Sequence, residues 1–134
     1  MNTLLLILSL FPYHQLSWSD FHGRPKGPHA AMTHCEIVVH SVEVDNRVTA
    51  QWGVAYFDGE KSWTRTASSA ALAHEQGHLD IARVYAAQLR LGVSADSLIA
   101  VYQAAQVRYD AETKHGVDSV AQEEWRRWLK TALP

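Results

Sequence analysis

Residues 74–78 read His-Glu-Gln-Gly-His, and no other stretch constrains the fold of this chain as tightly. Two histidines four residues apart can hold a single metal ion only if the segment is helical, because that spacing returns to the same face of an α-helix. The flanks agree. Residues 70–73 and 81–91 continue a helical pattern in which Leu72, Leu79, Val84 and Leu91 are available for burial. Ser68 or Ser69 can cap such a helix, and Gly92 supplies a left-handed stop after Leu91. With eight histidines and seven glutamates in 134 residues, composition alone would generate the pattern roughly 0.02 times per chain. Gly77 is the odd residue, since an interior glycine is less favourable than alanine by about 1 kcal/mol. It predicts the close approach of another backbone.

The motif carries a chemistry. The one cysteine, Cys35, excludes both an internal disulfide and a multi-cysteine zinc cage, so a metal would be held by imidazole and carboxylate. His74 and His78 are the first two candidate zinc ligands. Glu75 sits one step round the helix from His74 and can act as general base on a water that zinc activates, which is the chemistry of peptide-bond hydrolysis.

A catalytic zinc takes a third protein ligand and leaves the fourth position for water. The candidates are His115, Asp110 and Glu112, near the end of a second long helix that Ser94 caps and that runs to about Lys114. If Gly92 and Val93 form the turn, antiparallel packing sets His78 opposite Val107 or Arg108, and His74 opposite Ala111 or Glu112. His115 lies beyond that register, but Gly116 breaks the helix there and lets the imidazole point back from a loop, which makes it the preferred third ligand. Asp110 is the second choice, or it orients a ligand histidine from behind. Tyr109 has two readings: a donor to a tetrahedral oxyanion, or a buried core residue.

The rest of the chain supports one domain with a β-rich first half and an α-rich second half. Its 134 residues suit a single core, and 47% hydrophobic with 19% charged residues is a globular balance. The formal charge of −2 includes no basic block, which excludes nucleic acid as the expected partner. Residues 34–44 and 47–57 are rich in β-branched and aromatic residues and flank Asp45-Asn46, the signature of a hairpin. Residues 19–33 read as a turn-rich loop, and residues 61–66 (KSWTRT) as a short edge strand whose Lys61-Ser62-Trp63 either borders a substrate cleft or packs on the helix. Ser119 and Gln122 have the spacing of a capping box for a last helix. Trp18, Trp52, Trp125 and Trp128 are expected in the core. At the N-terminus, residues 4–11 (LLLILSLF) are too short for a stable membrane span and have the length of a secretory signal, though no basic residue precedes them. Residues 1–14 are set apart as a possible signal segment, and residues 15–134 as the domain.

The combination resembles a known family. His74-Glu-Gln-Gly-His78-Leu-Asp-Ile81, Tyr109-Asp110-x-Glu-Thr113-x-His115-Gly116 and Gln122-x-x-Trp125 look like the motifs of a bacterial family of predicted secreted zinc-dependent proteases, domain of unknown function 922. Leu16-Ser-Trp18-x-Asp20-Phe21-x-Gly23-x-Pro25, Ala30-Ala31-x-Thr33 and Lys61-Ser62-Trp63 resemble its pre-helix signature, so the likeness extends from about Gln15 onward. Leu79 departs from it, where phenylalanine is expected in many relatives. The resemblance implies a small zincin-like α+β domain, zinc on His74 and His78 with His115 as third ligand, and Glu75 as the catalytic residue. It also implies a peptide or protein substrate and a secreted or periplasmic location. The competing expectation is a secreted binding module that keeps a structural zinc without turnover.

Overall fold

The computed structural model describes residues 15–134, so the apolar run at residues 4–11 lies outside the described residues. A 3₁₀ turn at Trp18–Asp20 precedes strands β1 (Ala31–Met32), β2 (Cys35–Val44), β3 (Arg47–Phe57) and β4 (Trp63–Thr64). Three helices follow: α1 (Ser69–Ala86), α2 (Ala95–Thr113) and α3 (Ser119–Ala132). The architecture is α+β, a β region of two small sheets followed by three helices, with the His-Glu-x-x-His segment on the first helix. No helix among the described residues is long and apolar enough to cross a membrane.

The β2–β3 hairpin turns where the sequence places it. Asp45 and Asn46 both take positive φ (49° and 62°), as a tight two-residue hairpin turn requires. The antiparallel register runs from Cys35 opposite Phe57 to Val44 opposite Arg47, with an irregularity between Val42 and Glu43. One face lies on α1. Ile37 is buried there, and Gly53 comes so near the helix that a Cβ on it would be 2.9 Å from the Ala86 carbonyl oxygen. Ile81, Ala82, Val84 and Ala86 of α1 meet Tyr102, Ala105 and Tyr109 of α2 and Trp125 and Leu129 of α3 in one core. A second cluster of Leu16, Phe21 and Leu79 ties the N-terminal segment to the other side of α1. Trp18 belongs to it and donates its indole N–H to the Ser68 carbonyl at 3.2 Å.

Four expectations need correction. Helix α1 ends at Ala86 rather than Leu91: the chain tightens there into i→i+3 bonds from the Gln88 and Leu89 N–H groups to the Tyr85 and Ala86 carbonyls at 3.0 and 3.2 Å, and beyond them the Gln51 amide of β3 donates to the carbonyls of Arg90 and Val93 at 3.0 and 2.9 Å. Leu89 remains buried while Leu91 is exposed. The strand of residues 61–66 shrinks to Trp63–Thr64, and its partner is β1, from a stretch that reads as loop. Asp118, not Ser119, caps α3, its carboxylate accepting from the Ala121 N–H at 3.0 Å; a charged cap also gains from the helix dipole. Of the tryptophans, Trp125 is in the core, whereas Trp128 is 40% exposed and Trp52 stacks on His40 of the neighbouring strand. Helix α2 starts as expected, with Ser94 accepting from the Ser97 N–H, and ends with Lys114 left-handed at φ 49°.

Candidate metal centre

His74 and His78 lie on the face of α1 that α2 covers. The contacts run in antiparallel order, His78 with Gln106 and Asp110, His74 with Asp110. The Nε2 atoms of His74 and His78 are 3.0 and 2.9 Å from the same atom, Asp110 Oδ1. Among the described residues these three form the group whose ligand atoms all lie within 4.8 Å of one another, and they could hold a metal ion. His115 stands beside that group. Its Nδ1 is 3.5 Å from Asp110 Oδ1, its side chain is 53% exposed, and its ring lies against that of His29, tilted by 35° with centroids 4.4 Å apart. Glu112 points elsewhere: it accepts the Trp125 indole N–H at 2.7 Å and lies 3.4 Å from Arg108.

The hydrogen-bond inventory tests whether these residues fit a cation. Gln122 donates its amide to the Tyr109 hydroxyl at 2.8 Å, which leaves its Oε1 as an acceptor 2.9 Å from His74 Nδ1. Gln106 donates its amide to the His78 carbonyl at 2.8 Å, which leaves its Oε1 as an acceptor 2.6 Å from His78 Nδ1. Both imidazoles therefore carry their proton on Nδ1, and in the neutral tautomer both Nε2 lone pairs face a carboxylate oxygen. Three acceptors pointed at one another need positive charge between them. Protons on the imidazoles supply it, or a metal ion does. The electrostatics agree: burial would lower the His78 pKa, yet the Asp110 hydrogen bond and charge outweigh it and raise it. Burial would likewise raise Asp110, but the hydrogen bonds of His74 and His78 hold its carboxyl far below the usual carboxylate range.

Tyr109 fixes this arrangement from behind. Its hydroxyl donates to the His74 carbonyl at 2.8 Å, its ring stacks on the His74 imidazole at 4.6 Å, and its side chain is fully buried, so burial pushes its pKa up. It is not among the residues lining the cleft, and its one proton is committed to α1. Of its two readings, the buried one describes where it lies. Gly77 faces this phenol: a Cβ there would come within 2.6 Å of Tyr109 Cζ, so the close neighbour is a side chain and not a backbone. Gly116, at φ 87°, closes the other side, where a Cβ would sit 2.8 Å from His74 Cβ and Cγ.

A cleft of about 540 Å³ opens over the cluster, lined by His74, Glu75, His78, Asp110 and His115 and by the β1 segment from Ala30 to Thr33. Glu75 is 5% exposed, and the Thr33 hydroxyl donates to its Oε2. Lys61, Ser62 and Trp63 do not line the cleft; Ser62 and Trp63 are buried, and Trp63 pairs with Met32 of β1. Sequence reasoning missed Gln106, Gln122 and Thr33 as members of the site. Gln106 carried a usable signal, since it lies one turn before Asp110 on the same face of α2. Gln122 was hidden by its capping-box spacing.

Searches against models of protein families, against curated proteins and against solved structures returned no match to this chain.

Proposed function

We propose that this protein is a zinc-dependent metallohydrolase of the zincin type, most specifically a peptidase, with His74, His78 and Asp110 as the metal ligands and Glu75 as general base. The observation that carries the reading is the convergence of two Nδ1-protonated imidazoles and one carboxylate oxygen on a single point beneath a cleft that Glu75 shares. Three protein ligands below an open cleft is the count a catalytic zinc uses. When bound, such an ion supplies Lewis-acid activation of water and of a carbonyl group.

The remaining work falls to this chain's own side chains. Glu75 is placed to accept a proton from an attacking water on Oε1 while Thr33 holds Oε2. Gln106 and Gln122 keep the two imidazoles in the tautomer that offers Nε2. Asp110 meets both Nε2 atoms, whereas His115 contacts only the carboxylate, so the geometry favours Asp110 as third ligand and leaves His115 on the cleft wall.

The test is elemental analysis of wild type beside His78→Ala, Asp110→Ala and His115→Ala, followed by casein hydrolysis by wild type and Glu75→Gln. One zinc per chain is expected in wild type, lost in the first two variants and retained in His115→Ala and Glu75→Gln, with turnover in Glu75→Gln cut to a small, measurable residual rate. No zinc under metal-replete conditions would end the proposal. Stoichiometric zinc without turnover would favour the structural site of a binding module.

A further inference from the structure

We infer that Thr33 is a positioning residue that aims the Glu75 carboxylate, and that Ser62 and Trp63 hold the backbone on either side of it in place. The inference rests on the general-base reading of Glu75. Its observations are separate from the metal cluster.

Glu75 is almost fully buried, so its carboxylate has little water to solvate it, and the Thr33 hydroxyl donates to Oε2. That bond occupies Oε2 and fixes which way the carboxylate is turned, so Oε1 is the oxygen left to act as base. A threonine holds its hydroxyl with less rotational freedom than a serine, because the second branch at Cβ restricts χ1. The backbone on either side is fixed as well. Met32 pairs with Trp63 and Ala31 with Thr64 across the β1–β4 ladder. On the other side the His34 N–H donates to the Ser62 hydroxyl at 2.8 Å, and that hydroxyl donates to the Asp58 carbonyl at 2.7 Å. The Asp58 N–H returns to the His34 carbonyl at 2.8 Å. Ser62 is itself clamped by the Gly23 N–H on its carbonyl at 2.7 Å, where a Cβ on residue 23 would clash. Residue 33 is thus held by anchored residues both before and after it. This gives the buried Ser62 hydroxyl, which the metal site does not use, a role.

The experiment compares zinc-loaded wild type with Thr33→Val and Thr33→Ser, each also placed in the Glu75→Gln background. Thr33→Val keeps the shape and removes the donor. Its zinc content should equal wild type and KM should stay within about twofold, while kcat falls roughly tenfold to hundredfold, the scale of a misaimed catalytic group. Thr33→Ser should recover most of that loss, and Thr33→Val should cost nothing further in Glu75→Gln. Unchanged kcat in Thr33→Val, or an equal proportional loss in the Glu75→Gln background, would overturn the inference. Crystal structures of wild type and Thr33→Val decide it without turnover: the Glu75 carboxylate should leave its wild-type position, and an unmoved carboxylate would overturn the assignment. A zinc-loaded wild type that hydrolyses nothing would count against the peptidase reading, and the crystallographic comparison would still judge Thr33.

Discussion

Tyr109 occupies the space that a side chain on Gly77 would need. With a Cβ on residue 77 only 2.6 Å from Tyr109 Cζ, either the phenol or helix α1 would have to move. Alanine gains about 1 kcal/mol of helix propensity over glycine, whereas overpacking a filled core costs about 1–3 kcal/mol. Because the phenol also holds the His74 carbonyl and accepts from Gln122, the clash should dominate. Gly77→Ala is expected to lower the urea midpoint of the metal-free protein and to weaken its metal binding. A midpoint raised above wild type would show that the phenol yields without cost.

Gly116 and Gly92 form a natural pair of controls. Both take positive φ, 87° and 89°, so alanine at either pays about 1–2 kcal/mol for the left-handed backbone. Only Gly116 has a neighbour, the His74 ring, while a Cβ on Gly92 meets nothing within 4 Å. Chemical denaturation should find Gly116→Ala the more destabilised of the two. Metal affinity should drop in Gly116→Ala and stay at the wild-type value in Gly92→Ala.

The two glutamines are expected to act on metal affinity through the imidazole tautomers. Removing a partner of this kind typically weakens binding about 10- to 100-fold, so Gln106→Leu and Gln122→Leu should each show that loss in a chelator competition. Gln122→Glu keeps an acceptor for His74 Nδ1 and should retain most of the affinity. Equal weakening by leucine and glutamate at position 122 would argue for packing instead.

Cys35 gives a pH-dependent signature. Burial pushes its thiol from the ordinary value up to about 11, although hydrogen bonds with Tyr102 and Gln106 oppose the rise. At pH 8 the thiolate fraction is then about a hundredfold below that of an exposed cysteine. Alkylation by iodoacetamide should be correspondingly slow and should climb about tenfold per pH unit through pH 10 without levelling. Because the folded pKa lies above the unfolded one, the thiol's preference for the fold is complete below the unfolded value and is lost as pH rises above 9. A plateau near pH 9 would mean an exposed thiol.

Much of the fold is legible in the residues because the signals are local. Asp45-Asn46 sets the hairpin turn, Ser68 and Ser94 cap two helices, and Lys114 to Gly116 ends α2, each through hydrogen bonds or φ values within a few positions. One failure is local, Asp118 rather than Ser119 capping α3, and two others lie where distant segments meet. After the early end of α1, Gln51 of β3 holds the carbonyls of Arg90 and Val93; the tryptophan pairing of β4 makes a strand of residues 31–32.

The site divides along the same line. Periodicity alone determined that His74 and His78 share a face with Glu75 beside them, since a four-residue step on a helix admits no other arrangement. Which residue meets both imidazoles depended on the register and tilt of α2 against α1, and there the packing of Tyr109 into the gap at Gly77 brings Asp110 to both Nε2 atoms and leaves His115 at the rim. The partners on Nδ1 and on the Glu75 carboxylate come from residues 28 to 48 positions away, Gln106, Gln122 and Thr33. Contacts across such separations follow from how whole elements pack; spacing puts Gln106 on the Asp110 face of α2 but does not say which imidazole it meets.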